Sequence, residues 1–255
     1  MGQSKTLEKS TSNCPYNNCD GSGIILNKEN NTATMCKCYY DAIVDKKLEF
    51  ANIPEVFKDL TINSFRIDVY SKSESKSKAI VAKKMAANFI KNFETFQEEG
   101  KGLYLYGEVK GSGKTRMAIS IGNAIMKLKR LGVKYTTTMD LLGEIKNTFN
   151  KDSRLTESEL IDSIKKIDVL ILDDIGVEDP TPWVKSIFYS ILDGRMDNRK
   201  ITIFTANLSM DELRHDGRLK SRIEKMALPI EFPAESIRSK MARTENEELQ
   251  RLLLQ

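Results

Sequence analysis

Three groups of residues in this chain have the types and spacing to do chemistry. The first is Gly111-Ser112-Gly113-Lys114-Thr115. A glycine-rich turn ahead of a helix lets successive backbone N–H groups point at phosphate oxygens. The helix N-terminus adds the positive end of its dipole. Lys114 then reaches the β and γ phosphates, and the Thr115 hydroxyl is a ligand for magnesium. Together with Gly107 and Arg116 these five residues are the expected ATP-binding set. The usual pattern leaves four residues between its first glycine and Gly-Lys-Thr; here five separate Gly107 from Gly113. The loop is therefore expected to be one residue longer, with Lys110 or a neighbour as the extra one.

The second group is Asp173-Asp174, at the end of the apolar run Val169-Leu170-Ile171-Leu172. Asp173 is placed to order magnesium and Asp174 to orient or deprotonate an attacking water. A buried strand ending in two acids says little alone, but about 60 residues after a phosphate loop it completes a nucleotide site. Asn207, just past the apolar run 201–205, is a candidate to sense the γ-phosphate. Arg218, Arg222 and Arg238 are candidates to stabilise transferred charge, because the guanidinium fork suits phosphate.

The third group is Cys14, Cys19, Cys36 and Cys38, all the cysteines of the chain. Four thiolates in about 25 residues suit tetrahedral zinc. The spacing is wider in the first pair and tighter in the second than the usual two-residue knuckle. Free thiols or an iron–sulfur cluster are the alternatives. Gly21-Ser22-Gly23 supplies turn residues that would let the chain fold back.

These residues need elements to position them. Short apolar runs at 103–106, 133–137, 169–172, 201–205 and 228–232 read as strands. Helical patterns lie between them, at 115–129, 139–150, from Leu160 onward behind the Thr156/Glu159 capping box, and at 183–194. Such alternation predicts a parallel sheet covered on both faces. Met85, Phe89, Phe93 and Phe96 give a helix over 80–98 a core-facing stripe, while Ser71–Lys78 reads as an exposed linker. The fold class is thus α/β, a P-loop ATPase with a five-stranded parallel sheet. Residues 1–50 form a small zinc-binding module and 51–255 the ATPase domain.

Bulk composition excludes little more. The 255 residues are 40% hydrophobic and 30% charged, with a formal net charge of +4. That balance permits a nucleic-acid partner without arguing for one. No run of about 18 apolar residues marks a membrane span, and the polar start has no signal core. Its loose match to an acylation pattern is read as chance. A cytoplasmic protein is expected, with ATP, Mg²⁺ and Zn²⁺ as cofactors.

With these motifs in place, residues 50–238 resemble the bacterial helicase loaders of the DnaC/DnaI type. These are AAA+ ATPases related to the IstB transposition helpers. The resemblance rests on Ala51-Asn52-Ile53-Pro54 with Phe57, Thr61 and Phe65, and on Tyr106-Gly107 leading into the phosphate loop. It rests also on Asp173-Asp174-Ile175-Gly176 with Glu178, on Thr205-Ala206-Asn207-Leu208-Ser209, and on Gly217-Arg218-Leu219-Lys220-Ser221-Arg222 and Ser236-Ile237-Arg238. It implies a catalytic set of Lys114, Asp174, Asn207, Arg222 and Arg238. Arg238 would contact bound nucleotide and Arg222 would reach a neighbouring subunit's site, so the active species would be an oligomer. Single-stranded DNA is implied as a partner at Thr148, Phe149, Thr181 and Trp183, although a core position is the alternative for Phe149 and Trp183. A replicative DNA helicase is the implied protein partner, gripped by the cysteine module. The rivals are an IstB-type helper that delivers a transposase, and an adaptor that uses ATP as a switch with little hydrolysis.

Overall fold

A computed structural model describes residues 14–27, 32–39, 51–150 and 156–253. The chain divides into two compact units, Met1–Phe50 and Ala51–Gln255. In the first, β1 (Ile24–Asn27) and β2 (Thr32–Met35) pair antiparallel.

The second unit holds α1 (Ser73–Lys91), α2 (Phe93–Glu98), β3 (Gly102–Tyr106), α3 (Lys114–Lys129), β4 (Val133–Thr137) and α4 (Thr138–Asn147). It continues with α5 (Glu157–Lys166), β5 (Val169–Ile175), α6 (Pro182–Asp197), β6 (Ile201–Ala206), α7 (Gly217–Met226), β7 (Ala227–Glu231) and α8 (Ile237–Leu253). The strand order is β4-β5-β6-β3-β7, and every pairing is parallel. Each of the five expected strands lies within a residue or so of its expected start.

Both sheet faces are covered, which is why the strands are apolar at successive positions rather than alternately. Tyr104, Leu170, Leu172 and Phe204 meet one core with residues of α4, α5, α6 and α7. On the other face α3 comes so close that a Cβ on Gly122 would lie 2.7 Å from Ile171 Cδ1. Local signals start the helices: Thr137, Thr181 and Asp216 accept first-turn N–H groups, and Thr156 with Glu159 closes the capping box. Pro182 stands at the first position of α6.

Arg195 of α6 ties the layers together from inside the core, wholly buried. Its guanidinium donates to Thr202 Oγ1 at 2.9 Å and to the carbonyls of Ile164, Ile167 and Ile201 at 2.7, 2.8 and 2.6 Å. Carbonyls from α5, its C-terminal cap and β6 thus converge on one side chain.

Three expectations are corrected. Ser71–Lys78 is not a linker, since α1 begins at Ser73. Lys72, at the N-cap position, uses no side chain as a cap. Instead Glu235 accepts from the backbone N–H of Ser71 at 2.8 Å and of Lys72 at 3.2 Å. A cap supplied from 163 residues away leaves no local trace. The buried stripe of α1 is also Ser75, Ala79, Ala82, Ala86 and Phe89, and Met85 faces out. The chain then breaks at Asn92, so the single expected helix is two.

Candidate nucleotide-binding site

At the C-terminal edge of the sheet, β3 ends in the glycine-rich loop and α3 begins at Lys114. Gly111 and Gly113 have φ of +77° and +103°, a region that L side chains avoid. A side chain at Gly111 would also strike Arg238, and one at Gly113 would strike Phe65. The loop is held from two sides. Tyr70 donates its hydroxyl to the Ser112 carbonyl at 2.7 Å, and the N–H groups of Ile237 and Arg238 reach the Gly111 carbonyl at 3.0 and 3.3 Å. The first turn of α8 is therefore bolted to the phosphate loop, which places Arg238 beside it.

Lys114 is buried and has no carboxylate partner among the described residues. Its ammonium donates to the carbonyls of Gly107 at 2.8 Å and Val109 at 3.1 Å, with Ser112 Oγ at 3.5 Å. Burial lowers its pKa, and the charges of Asp174 and Asp173 oppose that shift. A polyphosphate would supply the missing counter-charge.

β5 carries the acids. Its ladder with β6 shifts register between Leu172 and Ile175, and Asp174 has φ of +57°, a conformation that aspartate tolerates. This bulge turns consecutive acids to different tasks. Asp173 stays buried and accepts from the hydroxyls of Thr115 at 2.9 Å, Tyr135 at 2.8 Å and Thr205. Thr205 also takes the Asp174 N–H, at 2.9 Å, in place of a ladder partner. Asp174 faces the cavity with Asn207 Nδ2 3.5 Å from its Oδ1. Burial and the neighbouring Asp173 charge raise its carboxyl pKa, with Lys114, Lys110 and Arg238 pulling the other way.

The cavity so formed has a volume of about 510 Å³ and is lined by Lys110, Gly111, Gly113, Lys114, Thr115, Arg116, Asp174, Asn207 and Arg238, among others. That volume suits a nucleotide. The Thr115 hydroxyl and the Asp173 carboxylate are in direct contact, and their all-oxygen donor chemistry fits Mg²⁺. Gly107 and Ser112 are not among the residues lining the cavity; the Gly107 carbonyl accepts from Lys114 and the Ser112 carbonyl from Tyr70.

Arg222 does not line this cavity. It forms a bidentate ion pair with Asp193 (Nη2 to Oδ2 at 3.0 Å) and lies over the Tyr189 ring at 4.8 Å.

Phe149 is 59% exposed, which corrects the alternative that it is a core residue. Its ring meets Trp183 edge-on, with centroids 6.3 Å apart, and Lys146 Nζ stands 5.2 Å from the Trp183 ring centre. Trp183 itself is partly buried against the core, so it is less open than a stacking platform would be. Thr181 spends its hydroxyl on the α6 cap, and Thr148 donates to the Ile145 carbonyl at 2.7 Å.

In the first unit, all four cysteine sulfurs lie within 4.8 Å of one another, with Cys14 to Cys36 at 3.7 Å and Cys19 to Cys38 at 3.4 Å. A tetrahedron with zinc–sulfur bonds of about 2.3 Å has edges of about 3.8 Å, so the set fits that ion. Burial opposes a Cys14 thiolate, but N–H groups of Asn18, Tyr16 and Cys19 outweigh it and bring the thiol to about 6. The cluster already favours one ligand-ready thiolate.

Sequence reasoning missed Tyr135, Thr205 as an acid's partner, and Phe57, Val177, Ile237 and Met241 in the cavity wall. The position of Thr205 at a strand's C-terminal end was a usable signal. Tyr135, two residues before its strand ends, gave none.

The IstB-like ATP binding protein family matches residues 44–226. The chain is 33% identical over 166 residues to the replicative helicase loader DnaI of Bacillus subtilis, which covers 59% of this chain and 51% of the relative. It is 30% identical over 165 residues to the replicative helicase loader DnaC of Buchnera aphidicola, 64% of this chain and 62% of the relative. The chain's match thus spans between half and two thirds of the length of these relatives. A solved structure of DnaI is 31% identical with a TM-score of 0.55, covering 71% of this chain and 94% of that one.

Proposed function

The chain belongs to the IstB-like ATP-binding protein family, with its fold and sequence of the DnaC/DnaI type, and from that premise we propose that it is an ATP-driven loader of a replicative DNA helicase. The observation that carries the nucleotide part is the Thr115–Asp173 contact at 2.9 Å at a cavity that Lys114 and Thr115 line, Lys114 having no carboxylate partner among the described residues. This supports Thr115 and Asp173 as magnesium donors and Lys114 as the phosphate-binding cation.

In this reading Lys114 and the loop N–H groups grip the phosphates, and Arg238 adds charge from α8. Thr115 and Asp173 hold Mg²⁺, which supplies charge neutralisation along the phosphate chain. Asp174 takes a proton from the attacking water, for which its raised pKa suits it. Asn207, close to Asp174, orients that water or the γ-phosphate. Arg222, held by Asp193 away from its own chain's cavity, serves a neighbour's site in an oligomer after leaving that ion pair.

The four cysteines hold zinc and shape the first unit as the grip on the helicase. Single-stranded DNA runs past Phe149, whose ring meets Trp183 edge-on, with Lys146 over the Trp183 ring and Thr181 at the helix start. No helix among the described residues is long and apolar enough to cross a membrane, in keeping with action in the cytoplasm. The cysteine unit favours a helicase as partner over a transposase.

Purified chain, the replicative helicase of its host and a circular single-stranded DNA test this. The expected result is ATP-dependent loading of helicase, lost in Lys114→Ala. Binding of helicase with no effect of ATP on loading or release would contradict the proposal.

A further inference from the structure

The extra residue of the phosphate loop has a place and a charge. Gly107 is fixed at one end, where its N–H donates to the Ala206 carbonyl at 3.3 Å and its carbonyl holds Lys114. Gly111 is fixed at the other end by the first turn of α8. The added length must therefore lie in 108–110. Of these three residues only Lys110 lines the cavity, and it is exposed.

Among the described residues no carboxylate forms an ion pair with Lys110. Its charge nonetheless reaches the Asp174 carboxylate and the Lys114 ammonium across the cavity. Asp174 marks the end at which the attacking water and terminal phosphate would sit. A flexible ammonium lining the same cavity as Lys114, with no carboxylate partner among the described residues, is arranged for an anion held in that cavity.

We propose that Lys110 is a second phosphate-binding lysine that contacts the terminal phosphate of a nucleoside triphosphate and makes the site prefer triphosphate over diphosphate. This rests on the nucleotide reading above and adds to it how the site distinguishes its ligand before and after hydrolysis. Lys114 grips whatever polyphosphate is present. Lys110, carried on the lengthened turn, adds a contact that exists only while the last phosphate does.

The test is calorimetric titration of the full chain with Mg-ATP and Mg-ADP at low and high salt, for the natural protein, Lys110→Ala, Lys110→Arg and a chain lacking Lys110. One exposed charge-assisted hydrogen bond predicts a loss of about fivefold to tenfold in ATP affinity for Lys110→Ala. ADP affinity should change less than about twofold, and the salt dependence of ATP binding should shrink. Lys110→Arg should keep most of the preference, and the deletion should lose it while still binding nucleotide.

Equal losses for ATP and ADP in Lys110→Ala would overturn the proposal, since the lysine would then serve loop shape or nucleotide binding generally. Unchanged ATP affinity would overturn it as well. So would a deletion that binds ATP more tightly than the natural chain, which would make the insertion a spacing effect. Failure of the natural chain to bind either nucleotide would instead remove the nucleotide reading on which the inference stands.

Discussion

The nucleotide cavity and the cysteine cluster are organised by opposite means. Around the cavity the scaffold does the positioning. Asp173 has three hydroxyl partners from α3, β4 and β6, the glycine loop is held by Tyr70 and α8, and a register shift in β5 aims Asp174. The large core behind it packs the elements that carry those groups. In the cysteine unit both strands are four residues long and β2 is exposed along its whole length. Of the residues in it whose burial is described, only Cys14, Gly23 and Cys36 are buried. So little apolar burial among the described residues would not offset the entropy of ordering them, and the zinc proposed for the four sulfurs would supply the difference. One site is built by its fold; the other, on that proposal, would build its fold.

That contrast can be broken or sharpened experimentally, beginning with the largest expected effect. Chelation of zinc, or Cys36→Ser, should unfold the cysteine unit altogether, because structural zinc contributes on the order of 10–16 kcal/mol. Hydrogen exchange should show residues 14–39 losing all protection, while residues 51–253 exchange as before. Persistence of the unit after metal removal would undo the comparison.

Arg195→Leu should act on the other side only. It leaves three buried carbonyls and Thr202 without their donor, a loss of about 3–5 kcal/mol. Thermal unfolding of the ATPase unit should shift down, with zinc content unchanged by metal analysis.

Asp174→Asn should cut ATP hydrolysis by about a hundredfold or more with nucleotide affinity nearly intact. The raised pKa of Asp174 fixes a sign. In the proposed role the base acts ionised, so activity should be full above that pKa and be lost as pH falls through it, starting at a higher pH than an ordinary carboxylate would give. A pH–rate profile with no acid limb above the usual carboxylate range would count against this role.

Thr205→Val should have the smallest effect. It strands the Asp174 N–H and removes one Asp173 partner, for about 1–2 kcal/mol of stability and a few-fold fall in hydrolysis.

Much of this site was legible beforehand because its signals are local. Lys114, Thr115 and Asp173 announce themselves through glycine spacing and a fully apolar strand. Thr156 with Glu159 and Pro182 mark their helices within a few residues. What escaped depends on partners far along the chain. The start of α1 rests on Glu235, so the lysine- and serine-rich stretch before it resembles a linker when read alone. Tyr135 reaches Asp173 only because β4 and β5 pair in a register that sets Thr137 opposite Asp173. The β5 bulge depends on the Thr205 hydroxyl of a neighbouring strand. Phe149 could not be assigned to core or surface, since a helix end's neighbours are set by tertiary packing.

The central claim is that the cavity is a preformed ATP site independent of the cysteine unit. Calorimetric titration of Mg-ATP into zinc-replete and zinc-stripped full chain tests it most directly. The account predicts one site per chain, the same affinity with and without zinc, and no measurable binding in Lys114→Ala. Absence of binding in the zinc-replete chain, or undiminished binding in Lys114→Ala, would contradict it.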